Sequence, residues 1–389
     1  MKSDSEHDVI IVGGGPVGAA LALAIADGKR SVLLVEARDE SVRENDPRTL
    51  ALSFGSRLIL ERIGVWSEID SVTAIQAIHV SHRGGFGRAV LAAADAGLPA
   101  LGYVVPHAAL QRALRKGLQQ VSNVTLLSGF RAARVEAIAE FVYVHFEHGS
   151  NATDGTARAR LAVIADGGAT SQGLTRMRVR EYGQSALVAN VLASKAHQNW
   201  AFERFTPEGP LALLPRDAGF ALVWASAPES AQRLCSLPAA AFLEQLQTAF
   251  GERAGTFTAV EGRVAFPLAL RVAEPPTVAR TLLLGNAAQT LHPVAGQGLN
   301  LGLRDAWELA EDVRLRRGDP GNRQVLAAYA SRRRRDRATG AMMTDGLVRV
   351  FSNNRLPLRW LRGCGLTLLD SLPPVKRAFM QRMMFGRAL

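Results

Sequence analysis

The feature that constrains the fold most is a glycine-rich turn near the start of the chain. An apolar segment, residues 8–12, runs into Gly13-Gly14-Gly15-Pro16-Val17-Gly18, and an Ala- and Leu-rich segment follows up to residue 26. In a G-x-G-x-x-G turn, the first glycine permits a tight bend, the second lets backbone approach a pyrophosphate, and the third lets the helix pack on the strand. The helix N-terminus then stabilises the phosphate charge. The pattern predicts a dinucleotide-binding βαβ unit.

A second buried segment, residues 31–36, ends in Glu36. A carboxylate about 20 residues after the glycines is placed to hold a ribose diol, and it would repel a 2′-phosphate. An ordinary βαβ unit without a nucleotide is the alternative, although strand, helix, second strand and terminal acid occur in the required order. NAD and FAD both fit this half-site.

A second glycine-rich segment, residues 285–300, favours FAD over NAD. It lies between a buried strand predicted for residues 281–285 and a helix predicted for residues 299–314. Gly296 and Gly298 would open this helix, whose N-terminus carries about half a unit of positive charge. That charge suits an isoalloxazine ring, which becomes anionic on reduction. A plain loop between strand and helix is the alternative interpretation.

Length and composition indicate a globular protein of two or three domains, because 389 residues that are 48% hydrophobic can bury a sizeable core. No apolar run reaches the roughly 18 residues of a membrane span. The polar first seven residues do not resemble a signal peptide. Cys235 and Cys364 are far apart and outside any C-x-x-C motif, so neither a disulfide framework nor a metal site is indicated. We expect a cytoplasmic protein.

The predicted fold is α/β, with a doubly wound, Rossmann-like FAD-binding domain, an inserted β-rich substrate domain and a C-terminal helical segment. Short alternating strands and the turn-forming residues 207–217 indicate the β-rich domain. Its Phe202, Phe205, Leu211 and Trp224 are candidates for a pocket wall or for plain core. We assign the FAD domain to residues 1–75, 98–180 and 275–330, the substrate domain to 76–97 and 181–274, and the basic C-terminal region to 331–389.

The C-terminal region carries nearly all of the +11 net charge. Residues 331–389 contain 13 Lys or Arg against three Asp, with Met and aromatic residues between them. This pattern indicates docking on a membrane surface or a partner. A solvated face packed on the core is the alternative, and no nucleic-acid-binding motif accompanies the charge. We expect salt-sensitive peripheral association with anionic membranes at the inner face of the cell membrane, or with an acidic partner, weakened when Arg355, Arg359 and Arg362 are changed to Glu.

Four motifs occur in one order along the chain, and together they resemble the class A FAD-dependent aromatic monooxygenases. They are the glycine-rich turn with Glu36, Asp46-Pro47-Arg48, Asp166-Gly167 and residues 285–300. Within this family the chain is most similar to the ubiquinone-biosynthesis hydroxylases, in particular to 2-polyprenyl-6-methoxyphenol hydroxylases. That similarity is carried by residues 101–105, 201–206, 209–215 and 285–293.

Two positions depart from the broad family pattern. Most members carry an acid where this chain has Asn286, and usually a His where it has Gln289. An asparagine can still hydrogen-bond a cofactor hydroxyl. The ubiquinone hydroxylases share both residues, so the resemblance still implies bound flavin.

The resemblance also implies residue roles. Residues 296–300 present backbone N–H groups to the flavin, and Arg48 meets the cofactor from the opposite side, with a surface salt bridge as its alternative. His292 is a candidate general base for the substrate, although a lone histidine is often structural. The candidate cofactor-binding residues are Gly13, Gly15, Pro16, Val17, Gly18, Glu36, Arg48, His107, Arg112, Asp166, Gly285, Asn286, Pro293, Gly296, Gln297, Gly298, Leu299 and Asn300.

The implied reaction is hydroxylation of a polyprenylated phenol, with bound FAD, NAD(P)H as transient co-substrate and O2 as oxidant. No metal or protein nucleophile is needed, because the cofactor carries the difficult chemistry. Other ubiquinone-biosynthesis proteins are expected partners, and nucleic acid is not. The alternatives are a sister hydroxylase acting at another ring position, a polyprenyl reductase or epoxidase, and a non-catalytic flavoprotein subunit of the ubiquinone-biosynthesis assembly. The W-x-W-x-I-P signature of a flavin-dependent halogenase does not occur.

Overall fold

The computed structural model describes residues 5–38, 46, 48–148, 155–171, 173–315, 318–351 and 356–386. Pro47 and Arg355 lie outside these ranges. The elements up to residue 164 are β1 (Ser5–Val12), α1 (Pro16–Ala26), β2 (Val32–Glu36), β3 (Thr49–Ser53), α2 (Phe54–Arg62), β4 (Thr73–Ile75), β5 (Ala77–His82), β6 (Arg88–Ala92), β7 (Gly102–Pro106), α3 (His107–Gln119), β8 (Val124–Ser128), β9 (Phe130–Ile138), β10 (Phe141–His148) and β11 (Gly155–Ile164). The elements after residue 164 are β12 (Arg176–Ala193), β13 (Trp200–Phe205), β14 (Pro210–Arg216), β15 (Gly219–Ser226), α4 (Pro228–Ser236), α5 (Ala239–Phe250), β16 (Phe257–Glu274), β17 (Thr277–Val278), β18 (Thr281–Leu283), β19 (Gln289–Thr290), α6 (Gln297–Leu315), α7 (Arg323–Phe351), α8 (Leu356–Ser371) and α9 (Pro373–Phe385).

The first sheet has a parallel centre in the order β18-β11-β1-β2-β8. All five residues of β2 are buried, as expected for a parallel strand covered on both faces. Helices α1, α3 and α6 pack on one face around Leu21, Leu34 and Leu309. On the other face, Ile10 and Leu33 pack against a layer that includes Val142. The predicted α/β class with a Rossmann-like unit is confirmed.

The second sheet is the β-rich part of the fold. Its order is β19-β16-β12-β15-β14-β13-β5-β6, and β5 joins it by pairing parallel to β13. Helices α4 and α5 contribute to the apolar core of this region, where Phe202, Phe242 and Phe250 pack together. Strands from two separate parts of the chain therefore form one layer. The domain boundaries proposed above stay predictions.

The small sheet and helices α8 and α9 pack against the elements described above. A small antiparallel sheet, β3-β7-β4, contacts α6 through β3 and β14 through β4 and β7. Helix α8 contacts β6, where Val90 N donates to Asp370 at 2.9 Å. Helix α9 contacts α2, and Phe54 and Phe385 meet edge to face at 6.2 Å. Within the described helices, no stretch is long and apolar enough to cross a membrane.

A buried ion-pair network fixes α7 to α6. Asp305 is fully buried, and its carboxylate accepts hydrogen bonds from Arg333 Nε at 2.6 Å and Arg337 Nε at 3.0 Å. Tyr329 donates to the backbone oxygen of Asp305 at 3.0 Å. Arg333 also pairs with Asp336 at 2.7 Å. Part of the basic C-terminal region is therefore an internal clamp that holds α7 against α6.

Three arginines of the basic region are buried, so they belong neither to the predicted docking surface nor to a solvated face. Arg333, Arg337 and Arg362 are 4%, 9% and 6% exposed. Arg362 donates from Nε to the backbone oxygen of Val350 at 2.6 Å. An arginine buried in this way cannot reach a lipid headgroup, so its replacement would disturb packing and not test membrane attraction.

We expect Asp305→Ala to destabilise the protein strongly, because it leaves two buried guanidinium groups without their shared carboxylate. Breaking a buried pair by removing one partner costs about 3–5 kcal/mol. The free energy of unfolding, measured by urea titration, should fall by this order. Glu136→Ala is the control, since Glu136 pairs with Arg134 on an exposed strand, and its loss should be below about 1 kcal/mol. Equal losses in both variants would show that the network is not a clamp.

Candidate active site

The carboxyl ends of four neighbouring parallel strands meet at one edge of the first sheet. The strands are adjacent in the order β2, β1, β11 and β18. Each ends at, or within two residues of, one predicted site residue: in the same order, Glu36, Gly13, Asp166 and Gly285. Open α/β sheets bind ligands outside the carboxyl ends of their strands. Three of the four predicted motifs are therefore brought together by topology.

The glycines of the first turn differ in the space around them. A Cβ on Gly13, whose φ is +104°, would lie 2.6 Å from the backbone of Asp166, and one on Gly18 would lie 1.9 Å from the Gly13 oxygen. These two positions need glycine for packing. A Cβ on Gly15 would meet nothing within 4 Å. Gly15 therefore borders open space at the start of α1, and α1 has no side-chain cap for its first N–H groups, which suits a bound pyrophosphate.

Glu36 and Gln111 hold the glycine-rich turn in place. Gly14 N donates to Glu36 Oε2 at 2.6 Å, and Arg38 N donates to Glu36 Oε1 at 3.0 Å. Gln111 is buried in α3, and its Nε2 donates to Gly14 O at 2.7 Å. The sequence interpretation missed Gln111, although a glutamine among the buried alanines and leucines of α3 is a detectable signal.

The predicted residues around α3 have different positions. Arg112 pairs with Asp70 at 3.0 Å on the exposed side of α3, so it is Gln111 that reaches the turn. His107 Nδ1 lies 3.2 Å from Asp46 Oδ2. Cofactor-binding roles for His107 and Arg112 stay predictions.

Arg48 forms a bidentate salt bridge with Asp46. The guanidinium donates from Nε to Oδ1 at 2.9 Å and through a second nitrogen to Oδ2 at 2.5 Å. Burial raises the pKa of Asp46, but hydrogen bonds from Arg48 and the nearby His107 more than offset it and hold the pKa at about 2. The Arg48 side chain is about half exposed, and the next residue, Thr49, lines the cavity described below. A role toward the cofactor stays a prediction.

Asp166 uses its carboxylate to shape the loop after β11. Its Oδ1 accepts from Gly168 N and its Oδ2 from Thr170 N, both at 2.8 Å. Its backbone lies against Gly13. Asp166 thus fixes the loop that follows β11 next to the glycine-rich turn.

Val17 joins the two glycine-rich segments. A Cβ on Gly285 would lie 3.3 Å from the Val17 side chain, and one on Gly302 would lie 2.8 Å from it. The small size of both glycines therefore lets α1 and α6 approach each other. Gly302 was not among the predicted residues, although it follows Gly298 by one helical turn.

The segment 285–300 combines rigid and open positions. The Asn300 side chain accepts from Ser53 N at 2.8 Å and Ser56 Oγ at 2.7 Å, and donates to Gly296 O at 2.6 Å. It fixes the start of α6 to β3 and α2. In contrast, a Cβ on Gly298 would meet nothing within 4 Å, and Asn286 is exposed and lines the cavity. The backbone at Gly298 and the amide of Asn286 are therefore available to a ligand.

A cavity of about 650 Å³ adjoins this segment. Its volume is within the range of small-molecule sites. One wall is the loop with Pro293, Gly296, Gln297 and Leu299, and a second wall is a face of the β-rich sheet. The third wall is formed by α7, α8 and α9, and it is lined with apolar side chains: Leu347, Phe351, Leu366, Leu369, Phe379, Met380, Met383 and Met384.

Several sequence interpretations change at this cavity. Met380 and Met384, assigned to a docking surface, are 2% and 4% exposed and form its wall. Phe205 lines it as well, Phe202 borders both the cavity and the core beside α4 and α5, and Leu211 and Trp224 belong to that core alone. Their hydrophobicity alone could not separate wall from core.

His292 lines the cavity, but its geometry does not support the role of a general base. The residue is 1% exposed, and burial lowers its pKa to about 4. Its Nδ1 accepts a hydrogen bond from Val294 N at 3.2 Å. The proton of the neutral ring is then on Nε2, which has no partner among the described residues. The neutral ring can therefore donate a hydrogen bond from Nε2–H, whereas its lone pair on Nδ1 is already used by Val294 N and does not point to a substrate proton.

Comparisons with known proteins agree with this site. Residues 6–345 match the family described as FAD binding domain. Ubiquinone hydroxylase UbiL of Rhodospirillum rubrum is 35% identical over 401 residues, covering 98% of this chain and 90% of that protein. The 3-demethoxyubiquinol 3-hydroxylase of Escherichia coli is 33% identical over 388 residues, covering 95% and 96%. The structure of p-nitrophenol 4-monooxygenase PnpA from Pseudomonas putida shares the fold, with a TM-score of 0.81, 17% identity and complete coverage of both chains.

Fold, sheet edge and cavity together define a FAD-dependent monooxygenase. The chain belongs to the class A flavoprotein monooxygenases of the ubiquinone-biosynthesis hydroxylase family. FAD is its cofactor, and NAD(P)H and O2 are the co-substrates typical of the family.

The described residues fit this cofactor. Open space at Gly15 and the uncapped start of α1 suit the pyrophosphate. Glu36 lies at the end of β2, where its carboxylate accepts hydrogen bonds from Gly14 N and Arg38 N, and its contact with a ribose stays a prediction. Asn286 and the start of α6 face the cavity, where the ring system would lie. When bound, FAD would take reducing equivalents from NAD(P)H and activate O2. The protein would hold the flavin and the substrate and exclude water from them.

We expect Gly15→Val to abolish flavin binding while leaving the apoprotein folded. The added side chain would occupy the space that the pyrophosphate needs, yet it meets no protein atom at its Cβ. Flavin content is measured from the visible spectrum after purification, and the melting temperature is compared with that of flavin-stripped wild type. Gly346→Val is the control, because Gly346 also borders open space but lies in α7. Normal FAD content in Gly15→Val would contradict the assigned site.

Proposed function

We propose that this chain hydroxylates the ring of a polyprenylated phenol in ubiquinone biosynthesis. The substrate is 2-polyprenyl-6-methoxyphenol and the product the corresponding 1,4-benzoquinol, so oxygen enters para to the hydroxyl. The observation that carries the proposal is the cavity, which runs from the start of α6 to the apolar wall of the C-terminal helices. The names of the relatives from Rhodospirillum rubrum and Escherichia coli support the pathway.

The two parts of the cavity suit the two parts of such a substrate. A phenol ring needs a position beside the flavin, where Pro293 and Gly298 lie. A prenyl chain needs an apolar surface, which Phe379, Met380 and Met383 provide. Methionine side chains adapt to irregular apolar ligands because they are flexible and polarisable. The described lining contains few polar side chains that an isoprenoid would leave without hydrogen bonds.

Deleting the gene should cause 2-polyprenyl-6-methoxyphenol, or an earlier phenol of the pathway, to accumulate. The reaction adds one oxygen atom, so the accumulated phenol is lighter than the quinol product by the mass of one oxygen. Oxidation of the quinol to the quinone during extraction removes two further hydrogen atoms. Mass spectrometry of quinone extracts measures both, and complementation with wild type and with Gly15→Val is the control. Accumulation of a demethoxy-quinone would instead assign the chain to a sister hydroxylase, like the Escherichia coli relative named above.

We further propose that the protein works in the cytoplasm at the inner face of the cell membrane, where its substrate is dissolved. An apolar rim supports this location. Trp360 and Leu361 of α8 are 68% and 64% exposed, and Leu361 also lines the cavity. Phe86 is 44% exposed, and its ring lies 5.0 Å from that of Trp360. Large aromatic side chains exposed beside a lipid-sized cavity favour contact with a bilayer interface.

The double variant Trp360→Ser, Leu361→Ser should bind anionic vesicles at least about tenfold more weakly, because each lost apolar side chain contributes about 1.5–3 kcal/mol when buried. Vesicle co-sedimentation at low and high salt measures this. Leu315→Ser is the matched control, since Leu315 is 78% exposed at the opposite end of α6 from the cavity. Equal binding by both variants, or binding only to an acidic pathway protein, would contradict membrane contact through this rim.

A further inference from the structure

Glu203 is the one acidic side chain among the described residues that line the cavity. It lies in β13, where successive side chains point to opposite faces of the sheet. Phe202 packs into the core, with its ring 5.6 Å from that of Phe250. Ala201, Glu203 and Phe205 line the cavity, and Phe202 also borders it although its ring lies in that core. The carboxyl group therefore belongs to the cavity face of the sheet.

The surroundings of Glu203 are apolar. Its register neighbours are Val80 on β5 and Ala212 on β14. Oε1 is buried and accepts no hydrogen bond from any described residue. Burial raises the pKa of Glu203 to about 7. An unpartnered buried carboxyl group costs free energy, and such groups concentrate where a ligand or a reaction uses them.

Few other charged groups face the same space. In the described lining, the other titratable side chains are His292, which is neutral, and Arg362 of α8, whose Nε donates to Val350 O. Behind the sheet, Arg204 donates from Nε to Ala249 O, and the pKa of His79 is lowered to about 4 by burial and by nearby arginines. Glu203 is thus the group in this lining that can accept a proton near neutral pH.

We propose that Glu203 is a catalytic residue that accepts the proton of the substrate phenol during hydroxylation. This inference rests on the proposed function, because it requires a phenol in the cavity. The phenol O–H bond breaks and an O–H bond to the carboxylate forms, so the negative charge passes to the ring oxygen. That charge increases electron density at the ortho and para carbons, one of which receives the oxygen atom. When that carbon releases its hydrogen as a proton to water, the ring oxygen recovers its proton from Glu203.

The test compares Glu203→Gln with wild type and with Glu208→Gln. Glu208 follows the same strand but its side chain is 58% exposed. Glu203→Gln should keep its flavin and bind the phenol, while kcat for product falls by about 100-fold or more. In wild type, kcat should rise as pH increases through about 7, since the carboxylate must be ionised to accept a proton. This limb should be missing in Glu203→Gln and unchanged in Glu208→Gln.

Two further measurements distinguish proton acceptance from a structural role. A fluorinated phenol whose own pKa lies below the assay pH needs no acceptor, so it should restore most of the rate of Glu203→Gln. An equal loss with this phenol would overturn the proposal. Infrared pH titration of the resting enzyme should show a buried carboxylic acid that ionises near pH 7 in wild type and is absent in Glu203→Gln, and a missing band in wild type would also overturn it.

Failure of this inference differs from failure of the proposed function. Normal wild-type turnover with an equally active Glu203→Gln would remove the role of Glu203 alone. A wild-type enzyme that hydroxylates no phenol would remove both, whatever the variants do.

Discussion

The contact of Val17 with Gly285 and Gly302 is the constraint on which the site depends. It fixes the start of α1 against the start of the segment that leads into α6. A larger residue at Gly302 would push α1 and α6 apart, because a Cβ there would lie 2.8 Å from Val17. The pyrophosphate end and the ring end of one cofactor need a fixed separation. Close packing of two helices, and not a bond between the two sites, provides it.

Polar side chains that lie outside the cofactor space then fix the backbone of the two glycine-rich segments. Gln111 and Glu36 bind the backbone of the glycine-rich turn, and Asn300 binds β3 and the turn before α6. Each of these side chains makes at least one hydrogen bond to the backbone. The open positions, Gly15 and Gly298, are left for the ligand. Preorganised loops of this kind bind without first paying to order their backbone.

The residues at the edge of the first sheet could be predicted from the sequence, but most of the residues that line the cavity could not. Glycine turns, Glu36 and residues 285–300 act locally, so their spacing carries their geometry. Gln111 and Arg112 are adjacent in sequence, and only the rotation of α3 determines which of them reaches the turn. The position of Glu203 depends on the alternation of β13 and on three distant helices. The pairing of Arg333 and Arg337 with Asp305 likewise depends on the packing of α7 on α6, whereas the charges of the two arginines alone predicted a docking surface.

The third wall of the cavity comes from helices that are synthesised after both sheets. The parallel sheet gains β18 at residues 281–283, but Met380 and Met384 reach the cavity only when α9, residues 373–385, has left the ribosome. Until then the nascent protein exposes the apolar lining of its own substrate site. Transiently exposed surface of this kind invites aggregation or capture by a chaperone. The chain is therefore vulnerable to aggregation in the interval between the synthesis of its sheets and that of α9, and FAD that arrives in this interval would bind to an unfinished pocket.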